Sequence, residues 1–174
     1  LEVEIPFLQK QLKNFEIIPL ITGFINEEQI NKAAEKIADF IDDETLVVIS
    51  TDLSHYHEYE KAVSLDNKTI HAILNMDYEG VKKSEMCSKG AVLIGLKIAE
   101  KKNWKPVFLD YKNSGDTSGN KKRVVGYTSI AFIPASEFSG ENSKYSSDEK
   151  ILLLKLSRKV LEEYIKNHKI PYYK

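Results

Sequence analysis

The sequence predicts an α/β fold in which helices flank a mixed sheet. Within residues 45–50, the four positions 46–49 are all apolar, which is typical of a strand covered on both faces. A helical spacing of apolar residues precedes this segment, and a helix followed by a buried strand is typical of a βαβ unit. Two longer strand patterns, over residues 104–112 and 124–133, supply further members of the sheet. We therefore expect a layered domain with helices packed on the sheet.

Length and composition narrow the class of protein. At 174 residues the chain has room for one domain and the start of another. A net charge of −1 argues against nucleic acid or an anionic membrane as a dedicated partner. The single cysteine excludes an internal disulfide, and no apolar run approaches the roughly 20 residues that span a bilayer. We expect a cytosolic protein, and we expect further residues before Leu1.

Two helices and a short strand are predicted before the segment at 45–50. Residues 2–14 have apolar groups at helical spacing, and residues 15–21 have the pattern of a short buried strand. Asn26 and Gln29 match a capping box, because each side chain can bond the backbone N–H of the other residue. The helix that they open is expected to end near residue 42.

The second half of the chain alternates between helices and strands. Residues 62–73 predict a helix that is loosened near Asp66, and Asp77 can cap a short helix after it. Residues 113–120 are rich in hydroxyls, amides and glycine, which predicts a surface turn. Gly126, inside the last strand, is expected to leave room for a ligand or a neighbouring backbone.

The most concentrated set of reactive side chains follows the strand predicted at 45–50. Asp52, Ser54 and His55 come directly after it, and ligands of open α/β sheets collect beyond the carboxyl ends of the strands. These residues therefore predict a site, with His55 and Asp52 as candidate catalytic residues. The alternative is that Asp52 and Ser54 only cap the first turn of a helix.

A second candidate is Cys87, which precedes a helix that begins near Ser88. The partial positive charge of a helix N-terminus favours thiolate, the form that serves as a nucleophile, redox group or metal ligand. A lone cysteine is equally an inert, buried small hydrophobe. The remaining candidate pocket residues, beside Ser54, are Asn113, Asp116 and Tyr127, in the loop after one predicted strand and in the strand that follows it.

Four sequence motifs follow one another along the chain: Leu1-Glu2-Val3-Glu4-Ile5-Pro6-Phe7-Leu8-Gln9, Ser50-Thr51-Asp52-Leu53-Ser54-His55, Cys87-Ser88-Lys89-Gly90, and Tyr111-Lys112-Asn113-Ser114-Gly115-Asp116 followed by Val124-Val125-Gly126-Tyr127. In this order and spacing they resemble the Memo-like family, over residues 1 to about 134. A weaker resemblance links residues 152–165 to the opening helix of an AMMECR-type domain. The expected organisation is the C-terminal part of a Memo-like domain at 1–134, a linker at 135–145, and this helix at 146–174.

The Memo-like resemblance implies a fold similar to class III extradiol dioxygenases, whose iron is held by two histidines and a carboxylate. It makes Cys87 the counterpart of that carboxylate and His55 the counterpart of the acid/base histidine, with Asp52 beside it. The two histidine ligands are expected upstream of Leu1. We therefore expect the chain alone to be inactive.

The resemblance further implies a copper- or iron-dependent redox function in the intact protein. The expected partners are AMMECR-type and radical-SAM proteins of the AmmeMemoRadiSam system. The alternative class is a non-catalytic module that recognises a peptide, a partner enzyme or a small ligand in the same pocket.

Overall fold

The computed structural model describes residues 2–138, and the chain divides into two units after Ala135. The fold described below is that of the first unit. Most of the predicted linker at 135–145 and all of the predicted helix at 146–174 lie outside the described residues.

Six helices and three strands form this unit. The elements are, in chain order, α1 (Ile5–Gln11), α2 (Glu27–Phe40), β1 (His55–His57), α3 (Tyr59–Leu74), α4 (Tyr78–Lys83), α5 (Lys89–Lys102), β2 (Trp104–Asn113), α6 (Ser114–Ser118) and β3 (Val124–Pro134). The capping box predicted at Asn26 is present, with reciprocal bonds of 2.9 Å to Gln29. Asp77 caps α4 through the backbone N–H of Gly80.

The sheet is small and antiparallel, with β3 between β1 and β2. β2 and β3 pair from Trp104 opposite Pro134 to Asn113 opposite Gly126, and His55 in β1 lies opposite Val125. The predicted α/β class is confirmed at this level. The prediction of a mixed sheet is wrong for the described residues, because every strand pair in them is antiparallel.

The prediction of a strand at residues 45–50 is wrong. The predicted βαβ unit is therefore wrong too, because it depended on this strand. Val47 and Ile49 pack against the core, whereas Leu46 and Val48 are 67% and 42% exposed. This alternation is that of a strand with one covered face. The segment has no regular secondary structure because no other described segment supplies backbone hydrogen bonds to it.

Three smaller predictions are also wrong. Residues 15–21 form no strand and are largely exposed, again because none of the described segments pairs with them. α3 is continuous past Asp66, because that side chain bonds to other segments and leaves the helical backbone intact. The predicted turn at 113–120 contains α6, since Asn113 and Asp116 form a capping box that starts a helix.

The hydrophobic core lies mainly between α2 and α5. Its buried residues include Ile30 and Ala34 from α2, and Leu93 and Ile98 from α5. α5 comes close to the 45–50 segment at Gly95, where a Cβ would overlap the side chain of Ile49. The core therefore fixes the start of α5, and Cys87 lies two residues before that start. Among residues 2–138, no helix is long and apolar enough to cross a membrane.

Candidate metal centre

Two segments far apart in sequence meet at the candidate site. Asp52 and His55 lie at the entry to β1, and Cys87 lies just before α5. One ligand atom from each residue, a carboxylate oxygen, an imidazole nitrogen and the sulfur, lies within 4.8 Å of the other two. The structure therefore brings together the three residues for which the sequence predicted catalytic or metal-binding roles.

Backbone hydrogen bonds hold the two segments against each other. The N–H of Asp52 donates to Sγ of Cys87 at 3.1 Å, and the N–H of Cys87 donates to the carbonyl of Asp52 at 3.2 Å. The hydroxyl of Thr51 accepts from the N–H of Ser88 at 3.0 Å and lies 3.4 Å from Sγ. The thiol is exposed, so it has hydrogen-bond partners on the protein side and an open side toward solvent.

The turn that carries Asp52 and His55 is held to the central strand. The N–H of Leu53 donates to the carbonyl of Gly126 at 2.9 Å, and the N–H of Gly126 donates to the carbonyl of Ser54 at 3.0 Å. Leu53 is fully buried and anchors the turn in the interior. Tyr56, next to His55, has a left-handed φ of 59°, which is uncommon for a residue with a side chain.

The imidazole and the carboxylate of the site are close, but not in strong hydrogen-bond contact. Nε2 of His55 lies 3.5 Å from Oδ2 of Asp52, beyond the usual N–H···O range. Two donor atoms each about 2.1 Å from one tetrahedral ion are about 3.4 Å apart. The spacing of this pair therefore fits two ligands of a shared metal ion.

Glu85 connects the two halves of the site, and no motif in the sequence points to it. One carboxylate oxygen accepts from the N–H of His55 at 3.0 Å, and the other lies 2.9 Å from Nε2 of His57. The hydrogen bond from His55 and the bond with the His57 ring lower the pKa of Glu85 below its ordinary value. Glu85 therefore remains charged at neutral pH and fixes the backbone of His55.

The other predicted pocket residues have different surroundings. Ser54 and Asn113 are buried, and in each a polar side-chain atom has no hydrogen-bond partner within the described structure. Asp116 accepts from the N–H of Asn113 and from the hydroxyl of Tyr59, which together lower the pKa of Asp116. A pocket role for these three residues stays a prediction.

Tyr127 is the predicted pocket residue with a direct electrostatic link to the triad. It is 44% exposed, and partial burial together with the charge of Asp52 raises the pKa of its hydroxyl. Its hydroxyl is therefore protonated near neutral pH and can act as a hydrogen-bond donor.

Two further residues contact the site but were not predicted from the sequence: Thr51, which contacts Cys87, and Asp66, which accepts from the N–H of Ser54. Thr51 lies inside one of the four sequence motifs, but its contact with Cys87 depends on the tertiary fold. A usable signal existed for Asp66, which shares the apolar face of α3 with Ala62, Ile70 and Ile73. A carboxylate on such a face requires buried partners.

Comparisons with known proteins identify the family of this chain. Residues 1–131 match the family model described as Memo-like protein. A MEMO1 family protein of Sulfurisphaera tokodaii is 36% identical over 143 residues, which cover 76% of this chain and 50% of that protein. A MEMO1 family protein of Methanosarcina mazei is 33% identical over 141 residues, covering 75% and 53% of the two chains. The chain belongs to the Memo-like family, and it spans about half the length of these curated relatives.

Proposed function

We propose that this chain supplies Cys87, His55 and Asp52 to a copper or iron centre. In the intact protein, this centre would have redox activity related to that of the extradiol dioxygenases. The observation that carries the proposal is the convergence of three ligand atoms within 4.8 Å. Membership of the Memo-like family supports it, because the resemblance implies a metal site at the position of Cys87.

The chemistry of the donors supports copper or iron. A thiolate favours copper over the hard cations, and an imidazole suits both copper and iron. The carboxylate of Asp52 adds a harder donor that is compatible with iron. Cys87 is exposed on the side where an ion must enter, and its sulfur already accepts a backbone N–H.

Each residue has a distinct proposed role. Cys87 anchors the ion, which supplies redox or Lewis-acid chemistry when bound. Where other groups complete the coordination, His55 moves a proton to or from a neighbouring ligand, with Asp52 3.5 Å from its imidazole. Further histidines belonging to the longer relatives would complete the coordination. In this chain alone, His55 and Asp52 are the nearest additional donors.

A binding module is the second candidate function, and exposed side chains beside the triad favour it. Tyr56 is 62% exposed, and the guanidinium of Arg123 lies 4.9 Å from the centre of its ring. Exposed tyrosine and arginine are enriched where proteins recognise partners. On this proposal a peptide or a small ligand binds in the same pocket. AMMECR-type and radical-SAM proteins of a cytosolic system remain proposed partners for the intact protein.

Anaerobic titration of the 174-residue chain with Cu(I) or Fe(II), followed by elemental analysis, tests the metal proposal. We expect one equivalent to bind, with affinity at least tenfold lower in Cys87→Ser. His55→Gln and Asp52→Asn should weaken binding to a smaller extent, and Asp39→Asn, at an exposed carboxylate in α2, is the control variant. Equal binding by the original chain and Cys87→Ser would contradict the proposal. Loss of metal binding with retained peptide binding would favour the second function.

A further inference from the structure

A buried carboxylate lies behind the turn that carries Asp52 and His55. Asp66, in the middle of α3, has no solvent-exposed surface. Two neutral donors contact it: Oδ1 accepts from the N–H of Ser54 at 2.9 Å, and Oδ2 accepts from the hydroxyl of Tyr111 at 2.7 Å. Burying a carboxylate costs free energy that neutral donors only partly offset. Its presence therefore calls for a role other than stability.

The position of Ser54 indicates that role. Ser54 lies between Asp52 and His55, and its N–H donates to Oδ1 of Asp66. The carbonyl of the same residue accepts from Gly126. Both backbone polar groups of Ser54 are therefore fixed, one to α3 and the other to β3. The fixed backbone of Ser54 therefore limits where the nearby side chains of Asp52 and His55 can lie.

Tyr111 and Gly126 hold Asp66 in its place. Burial and the neighbouring Asp66 raise the pKa of Tyr111, so its hydroxyl carries a proton and donates. At Gly126 a Cβ would overlap Oδ2 of Asp66. The room that the sequence assigned to a ligand or a backbone is thus taken by a side chain. One carboxylate consequently connects α3, β2 and the site turn.

We propose that Asp66 is a positioning residue for the metal centre: through the N–H of Ser54 it holds Asp52 and His55 at the spacing needed to share an ion with Cys87. This inference rests on the proposed function. Asp66 is not one of the three candidate ligands, so its removal acts first on the positions of Asp52 and His55 and keeps Cys87 as a ligand.

The first test needs no metal. In Asp66→Asn, the amide nitrogen can donate to the Tyr111 hydroxyl, but the amide oxygen that faces the Ser54 N–H is neutral, so this bond loses the strength of a charged acceptor. We expect amide resonances of residues 52–55 to shift in a ¹⁵N correlation spectrum, and the exchange protection of the Ser54 N–H to fall at least tenfold. Tyr111→Phe should produce a smaller change in the same signals. Ile30→Val, in the core of α2, is the control for general loosening. Unchanged signals at 52–55 would overturn the inference.

The second test uses Co(II) as a spectroscopic probe of the ligands. The original chain should show a thiolate-to-cobalt band and the d–d pattern of a site of low coordination number. Asp66→Asn should keep the thiolate band, change the d–d pattern, and bind Co(II) at least tenfold more weakly. Ile30→Val should leave both the spectrum and the affinity unchanged.

A double-mutant cycle separates positioning from loss of structure. If Asp66 acts through Asp52 and His55, Asp66→Asn should have no further effect in an Asp52→Asn/His55→Gln background. An equal tenfold loss of Co(II) affinity in both backgrounds would overturn this inference but would not contradict the proposed metal site. Failure of the original chain to bind Co(II), Cu(I) or Fe(II) would overturn the proposed function, and this inference with it.

Discussion

The backbone N–H of Asp52 donates a hydrogen bond to Sγ of Cys87 over 3.1 Å, although 35 positions separate the two residues. The return bond, from the N–H of Cys87 to the carbonyl of Asp52, makes the pairing reciprocal. Because the sulfur is held by this pairing and the thiol is exposed, the pairing fixes the position from which the cysteine reacts.

Cys87 should react with iodoacetamide at pH 7 faster than a small model thiol. Thr51→Val should slow the reaction several-fold, because it removes a hydroxyl that lies 3.4 Å from Sγ and that also accepts from the N–H of Ser88. Thr51→Ser keeps the hydroxyl and serves as the matched control. Mass spectrometry of timed samples measures the rate. Equal rates in Thr51→Val and Thr51→Ser would contradict a role for this hydroxyl.

Metal binding should stabilise the folded chain. A ligand at a free concentration of about 100 times its Kd adds about 2.7 kcal/mol to the free energy of unfolding when the unfolded chain does not bind it. Anaerobic thermal unfolding with and without Cu(I) should therefore show a higher Tm, reversed by a chelator. The same Tm increase in Cys87→Ser would show that the ion binds elsewhere.

Gly126→Ala should lower the free energy of unfolding by about 1–3 kcal/mol, the usual cost of overpacking. The added methyl group would overlap Oδ2 of Asp66, which is fully buried. Gly23→Ala is the matched control, since its Cβ would have nothing within 4 Å. Urea unfolding measures both variants. A loss in Gly126→Ala no larger than in the control would show that Asp66 can move aside.

Glu85 should contribute stability that depends on pH. Its pKa is lowered from 4.5 by the N–H of His55 and then by His57. The unfolded chain therefore holds the Glu85 proton more tightly, so this contribution is present above pH 4.5 and is lost as pH falls through the lowered value. The contribution is at most about 1 kcal/mol because the carboxylate is partly exposed.

The measurement is the free energy of unfolding of the original chain and Glu85→Gln across this pH range. The difference should be largest near pH 6 and should close as the pH falls below 4.5. A difference that stays constant down to pH 3 would contradict the assigned ionisation.

The 174-residue chain should self-associate at micromolar concentrations through the segment before α2. Ile18, Ile21 and Phe24 are 85%, 89% and 111% exposed, and clustered apolar side chains promote association. Ile18→Lys/Ile21→Lys should shift sedimentation toward the monomer, and Lys10→Ala/Lys13→Ala is a control outside the apolar segment. Unchanged sedimentation in the isoleucine double variant would place the contact elsewhere.

Local sequence signals predicted α1 to α5 and the two long strands, β2 and β3, of the described residues. The capping box at Asn26 and the cap at Asp77 each join residues three positions apart, so both can be predicted from the sequence without a tertiary structure. The start of α5 near Ser88 was also predicted from local sequence. This prediction correctly placed Cys87 just before that helix. The candidate residues Asp52, His55 and Cys87 were likewise identified from short motifs.

Only the tertiary structure decided which segments form strands and what holds the site together. Residues 45–50 have the composition of a strand, but a strand also requires a neighbouring backbone, which composition does not specify. Glu85 and Asp66 act on residues 30 and 12 positions away in the chain. Such contacts exist only after the helices pack, because packing brings distant carboxylates and backbone N–H groups within hydrogen-bond distance.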